Sequence, residues 1–250
     1  MITYTGSTLR IDCNEIGFSK KNVEAICKIG SSTKTGLGNE TRYIGEKGIG
    51  FKSVFKVADV VWILSGHYSF QFDKRAKLGM IAPVWATFPG ARLPGYTSIL
   101  LDLSESYNPR QLIHDLHHLD PKLLIFLRNL RQINIRSCNT YENTFSRSLG
   151  KQELPTESDG LTQISLLCNS ERSKFKAARF SVQNLPLDPK RPGTTTSDLL
   201  LGFPLADNGL PEIQSQSVCA ILPIRDYGFK VSRAADSYAC LNNLLIFHSS

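Results

Sequence analysis

Gly45, Gly48 and Gly50 fall within six residues and are followed at once by Phe51-Lys52-Ser53. Glycines at this spacing permit sharp turns and let a ligand approach the backbone closely. A helix starting right behind them would aim unpaired amides and the positive end of its dipole at an anion. Lys47 and Lys52 add positive charge, and the whole suits a polyphosphate. Two common phosphate loops are excluded by spacing. Gly45 and Gly50 have the Walker A separation, but Phe51 stands where that loop needs lysine. Neither Gly36-x-Gly38 nor Gly48-x-Gly50 is followed by the third glycine of a kinase-type loop. Taken alone, the loop reads equally well as a structural turn.

The chain around it has the composition of an ordinary soluble domain, 41% hydrophobic and 20% charged, so a packed core is expected. No apolar run approaches the roughly 18–20 residues that span a bilayer. Met1 to Arg10 lacks the basic-then-apolar pattern of a secretory signal, which predicts cytoplasm or nucleus and no membrane partner. The six cysteines include no C-x-x-C pair. That argues against a zinc knuckle and predicts reduced, mostly buried thiols. His114, His117 and His118 share one expected helix without an H-E-x-x-H pattern, and are read as a solvated face rather than a metal site. The net charge of +7 is dispersed, which predicts a mildly basic surface. No aromatic-basic pattern points to nucleic acid.

Short strands are expected at Thr8–Asp12, Val60–Leu64, Tyr68–Phe72, Thr97–Leu103 and Ile133–Arg136. Ser19 should cap a helix carrying Val23, Ala25, Ile26 and Ile29, ended by Gly30. The polar stretch Ser31 to Tyr43 reads as a mobile loop, and Phe51–Val57 as a short helix. Pro109 to Leu130 should be helical in two pieces, broken at Pro121. Beyond about Thr140 the pattern turns to short strands, Gln163–Leu167, Phe180–Leu185 and Val218–Pro223.

Ile44 to Asp59, IGEKGIGFKSVFKVAD, resembles the second glycine box of the GHKL (Bergerat-fold) ATPases, and more narrowly that of the sacsin and No Vein branch. NEIGFSKKNVEAICKIGSSTK (Asn14 to Lys34) is similar to the branch's first glycine box and following helix. PGYTSILLDL (Pro94 to Leu103), PKLLIFLRNLRQINI (Pro121 to Ile135), DLLLGFPL (Asp198 to Leu205) and CAILPIRDYGFK (Cys219 to Lys230) continue the likeness in order. The resemblance implies an α/β, two-layer α+β sandwich: a mixed sheet with helices on one face, then part of a second α+β domain. It implies a nucleotide-binding domain over residues 1–139, a partial second domain over 140–230 and a divergent tail over 231–250. Gly17 would let the chain pass beneath adenine, and Asn14 lies in the base-recognising box. Ser32, Thr33 and Lys34 would begin a lid beside the phosphates. Gly45, Lys47, Gly48, Ile49, Gly50 and Phe51 would wrap the triphosphate, and Thr97 would bond near the base.

The departures carry equal weight. The place of the usual base-reading aspartate falls at Cys13, a poor acceptor, so Asp12 or Asn14 would have to substitute. Tyr96 replaces a frequent glycine before Thr97. The family's first helix supplies an acidic general base and, four residues on, a magnesium-holding asparagine; Met1 to Thr8 contains neither, and Glu15 is read as structural. The implied function is therefore an ATP-binding module with hydrolysis lost or very weak, and no protein ligand for Mg²⁺. The alternative is a non-catalytic scaffold that keeps the fold and binds protein partners. The likeness runs from about Leu9 to Lys230, which predicts a truncated copy or incomplete gene model that exposes apolar surface.

Overall fold

The computed structural model describes residues 1–27, 50–138, 145–155, 161–186 and 195–213, with the backbone of 217–220, 222–226 and 232–235. The fold is mixed α/β, with extensive sheet and few helices, and it divides into two compact units. Met1–Leu119 with Asn134–Arg147 forms the first, and Asp120–Ile133 with Ser148–Ser250 the second. Among the described residues no helix is long and apolar enough to cross a membrane.

The first unit is built on the strands β1 (Ile2–Tyr4), β2 (Thr8–Cys13), β3 (Ala58–Ser65), β4 (Tyr68–Asp73), β5 (Val84–Trp85), β6 (Thr97–Leu103) and β7 (Gln132–Ser137). Their spatial order is β7-β1-β2-β6-β3-β4-β5, antiparallel throughout except for the parallel β1–β7 pair. The apolar alternation expected of half-buried strands is met by Val61, Ile63, Phe70 and Phe72, all essentially inaccessible. Gly66, at φ +58°, and His67 form the two-residue link between β3 and β4, closed by the Ser65–Tyr68 pair. A hairpin link this short favours a positive φ, which glycine adopts without strain. Strand β1 lies ahead of Thr8, where the sequence shows no usable periodicity; it is recruited by pairing on both sides.

Helix α1 (Lys20–Cys27) starts where Ser19 predicts. The Asn22 amide donates to Ser19 Oγ (3.3 Å), and Asn22 Oδ1 accepts from the Ser19 amide (2.8 Å), a reciprocal cap. Phe51–Lys56 is a 3-10 helix rather than an α-helix, with Phe55 buried against Phe51 and Phe72. Helix α2 (Pro109–His117) has proline in its first turn and Asn108 as cap, whose Oδ1 accepts from the amides of Arg110 and Gln111. A separate short helix α3 (Leu123–Phe126) follows in the second unit, so the expected break near Pro121 is present.

The second unit contains β8 (Phe145–Pro155, chiefly its part beyond Arg147), β9 (Thr162–Cys168), β10 (Glu171–Val182), β11 (Ser197–Leu205), β12 (Ser217–Ala220), β13 (Leu222–Asp226) and β14 (Ser232–Ala235). Their order is β13-β12-β14-β11-β10-β9-β8, with only β12–β14 parallel. Strand β10 is far longer than the expected Phe180–Leu185 segment. Its charged residues Arg172, Lys174 and Lys176 hid the alternation that buries Phe175 and Ala177. Lys151, on β8, is almost wholly buried; its Nζ donates to the Leu127 carbonyl at the end of α3 (2.6 Å) and pairs with Glu153 (3.0 Å).

Candidate functional site

Three neighbouring strands of the first unit bring one residue each into a single row: Cys13 opposite Thr97, and Thr97 opposite Ser65. Directly opposed residues of antiparallel strands share a face, so the three side chains stand side by side. Thr97 Oγ1 and Ser65 Oγ are 2.6 Å apart, and the Phe18 amide donates to Ser65 Oγ (2.8 Å). The chain leaving β2 therefore folds back over the ends of β6 and β3. Gly17 makes that return at φ +87°, and a Cβ there would lie 3.4 Å from Ser65 Oγ. Any larger side chain at 17 would stand over the hydroxyl pair. Ile16, beside it, exposes its whole side chain.

The chemistry of the row is neutral. One of the two hydroxyl hydrogens is used between Ser65 and Thr97, which leaves one donor and spare lone pairs. Burial, reinforced by the charge of Glu15, pushes the Cys13 thiol above its ordinary value and keeps it protonated. Ser65 was not singled out by sequence. Its signal is modest: a small hydroxyl ending the otherwise apolar run Val60 to Leu64.

The next row, Asp12 opposite Ser98, faces the other side of the sheet. Arg10 Nε lies 2.9 and 3.1 Å from the two Asp12 carboxylate oxygens, and Ser98 Oγ donates to Oδ1 (2.6 Å). Arg10 also donates to the Ala91 carbonyl (2.7 Å) and lies over the Phe88 ring. The Asp12 side chain is 0% exposed and stands on the face opposite the Cys13–Thr97–Ser65 row, where it ties Arg10 to Ser98. Asn14 and Glu15 are exposed beyond the strand end.

Gly50 has φ −58° and ψ −45°, and a Cβ would meet nothing within 4 Å. The backbone at 50 does not itself require glycine. Phe51 packs on Phe55 and Phe72, and Lys52 Nζ turns to the Met80 carbonyl (2.5 Å) and sits 4.6 Å from the Phe72 ring centre. Burial pushes the Lys52 amine below its ordinary value, against an opposing pull from Cys27. The structure thus brings Gly17 and Thr97 together, leaves Asn14 outside that row, and sets Phe51 in an aromatic cluster. Ser32, Thr33, Lys34, Gly45, Lys47, Gly48 and Ile49 lie outside the described residues, as do Gly30 and the Ser31 to Tyr43 stretch.

The thiols depart from the expectation of burial. None of the four described cysteines is buried: Cys13 and Cys138 are exposed, Cys27 and Cys168 intermediate. They sit at strand and helix ends, where a small side chain reaches the surface. Among the described residues no group of three or more His, Cys, Asp or Glu side chains could hold a metal ion.

The family model described as Sacsin domain matches residues 1–84, the stretch that contains Cys13, Gly17 and Ser65. Across more of the chain, Protein NO VEIN of Arabidopsis thaliana is 31% identical over 246 residues, covering 87% of this chain. This chain is sacsin- and No Vein-like. The sacsin-like chain spans 8% of the length of that relative. Among solved structures, it is similar to the topoisomerase IV ATP-binding domain of Francisella tularensis in complex with a small-molecule inhibitor. That likeness has a TM-score of 0.36 and 12% identity over 89% of this chain and 56% of that one.

Proposed function

We propose that the first unit is an ATP-binding module of the GHKL ATPase type in which hydrolysis is lost or very weak. The observation that carries this reading is the row Cys13–Thr97–Ser65 beneath the positive-φ Gly17. A flat heterocycle needs a groove floor without side chains and a few fixed polar groups at one edge. Gly17 supplies the first, and the hydroxyl pair with the Cys13 thiol supplies the second. The spare hydroxyl hydrogen donates to a ring nitrogen, while a hydroxyl oxygen accepts from an amino group. The glycine loop Gly45–Gly50 would take the phosphates, with Gly50 leading directly into the Phe51–Lys56 helix. Hydrolysis is weak in this reading because, among the described residues, the row Cys13–Thr97–Ser65 carries no carboxylate to act as general base. Loss of such a base typically costs about 10²–10⁴ in rate.

Isothermal titration with ATP and ADP tests the reading. Thr97→Val should weaken binding roughly tenfold, the value of one buried hydrogen bond with its partner left unpaired. The double change Gly48→Ala with Gly50→Ala should remove binding and leave the fold intact. Unaltered affinity in both variants would overturn the assignment. A folded chain that binds neither nucleotide would support the scaffold reading instead. Magnesium-dependent turnover that survives Glu15→Ala would reveal another general base.

A further inference from the structure

We propose that the open edge of β5 takes up an extended, acidic peptide segment of a partner protein as an added strand. β5 stands at the end of the strand order and pairs with β4 on one side only. The Ala86 amide donates to the Ser69 carbonyl (3.2 Å), and Ser69 Oγ donates to the Ala86 carbonyl (2.6 Å). Successive residues of an antiparallel strand turn their main-chain groups to opposite sides. With Ala86 turned toward β4, the amide and carbonyl of Trp85 are turned away from it, to the open edge. Neither group has a main-chain partner among the described residues.

The side chains at this edge suit an interface. Val84 is 61% and Trp85 67% exposed, and Leu78 and Met80 are exposed in the segment that leads to them. Charged side chains on an edge strand discourage pairing with other chains, and β5 has none. Trp85 is braced on its inner side, edge-on to the buried Phe70 at 5.8 Å and nearly parallel to Tyr68 at 6.2 Å. A large aromatic ring held in this way is a typical interface anchor. The backbone leading to it is fixed as well. A Cβ at Gly79 would lie 1.7 Å from the Asp73 carbonyl oxygen, and Lys52 Nζ donates to the Met80 carbonyl.

Charge selects the partner. Asp73 is matched by Arg75 (2.8 Å) and Asp59 by Lys74 (3.7 Å). Lys77, ahead of β5, and Arg92, which donates to the Gly66 carbonyl at the β3–β4 turn, have no ion pair among the described residues. Acidic side chains on an incoming strand would meet these two cations, and the net charge of +7 attracts such a segment while repelling a second copy. A bilayer offers the Trp85 amide and carbonyl no partner, whereas a strand pairs both. The inference is independent of nucleotide binding.

Fluorescence anisotropy of the full chain with a labelled decapeptide of alternating valine and glutamate tests it. Wild-type protein should bind saturably, and hydrogen exchange at the Trp85 amide should slow in the complex. Trp85→Thr, conservative for a strand, should weaken binding about tenfold or more. Lys77→Glu combined with Arg92→Glu should weaken it roughly tenfold, and lysine in place of glutamate in the peptide should do the same. Of two N-methylated peptides, blocked at the valine or at the glutamate amides, one should lose binding, because an added strand aims only one set at β5. Trp85, Lys77 and Arg92 are exposed, so the variants should fold, which circular dichroism checks. Absence of saturable binding, unchanged affinity in Trp85→Thr, or parental affinity in both N-methylated peptides would overturn the proposal. So would dimerisation abolished by Trp85→Thr, which gives the edge to a second copy, or Trp85-dependent binding to phosphatidylserine vesicles without peptide binding, which gives it to a lipid surface.

Discussion

Replacing Asp12 separates a structural carboxylate from a ligand-reading one. In Asp12→Ala the Arg10 guanidinium loses both carboxylate contacts, and Ser98 Oγ loses its short acceptor. Removing one partner of a buried ion pair costs about 3–5 kcal/mol, mostly because the other charge is stranded. Arg10 is 18% exposed and keeps the Ala91 carbonyl and the Phe88 ring, so the lower end applies, about 3 kcal/mol. For a chain of this size that corresponds to a fall in Tm of roughly 6–12 °C. Asp12→Asn keeps the shape and one acceptor and should cost about half as much. Urea unfolding by tryptophan fluorescence reads the effect selectively, since Trp62 and Trp85 both belong to the first unit. Nucleotide affinity, measured well below the melting range, should change less than about threefold in Asp12→Asn. A normally melting Asp12→Asn that loses affinity more than tenfold would show that the carboxylate reaches the ligand, and the assignment of faces would be wrong.

Ser65→Ala should destabilise the first unit by about 1–3 kcal/mol, because the Phe18 amide and Thr97 lose a shared partner; faster hydrogen exchange at Phe18 checks it. Gly17→Ala should cost about 1–2 kcal/mol from its positive φ alone, while Gly50→Ala should be neutral or slightly stabilising, as paired thermal melts would show. Glu153→Gln should flatten the acid limb of the second unit's stability. Burial pulls the Glu153 carboxyl up, but hydrogen bonds from Arg131 and Lys151 outweigh it and hold it below the ordinary value. Its contribution is therefore present above about pH 4.5 and fades as pH falls through the lower folded value. The gap between wild type and variant, read from β8–β10 amide exchange, should close with acidification; a gap constant from pH 6 to 3 would refute this.

Elements that carry their own periodicity or stop signals were legible. The Thr97–Leu103 strand, the Gly66 turn, the Ser19 cap and the two-piece helix around Pro121 each follow from local chemistry. Strand β1 and most of β10 were not. β1 is three residues with a partner on each side, and β10 interleaves lysines and arginines with the residues it buries. The row Cys13–Thr97 was half legible, because the family resemblance named both positions but could not supply the ladder that sets them opposite each other. Ser65 joins that row only through register, which no local pattern encodes. The face occupied by Asp12 could be decided only by counting alternation from a paired neighbour.

The position of β1 has a consequence for how this unit is made. Ile2 pairs with Ile11 on one side and with Ile135 on the other, so its second neighbour is synthesised long after its first. During translation the hairpin of β1 and β2 waits with an unfilled edge, and the ladder closes only when β7 emerges. Long-range closure of this kind is slow and leaves a strand edge available to other chains. A fragment cut before Gln132 keeps that edge permanently open, whereas one cut after Ser137 fills it. Yield should therefore rise abruptly between those two cuts rather than gradually with length.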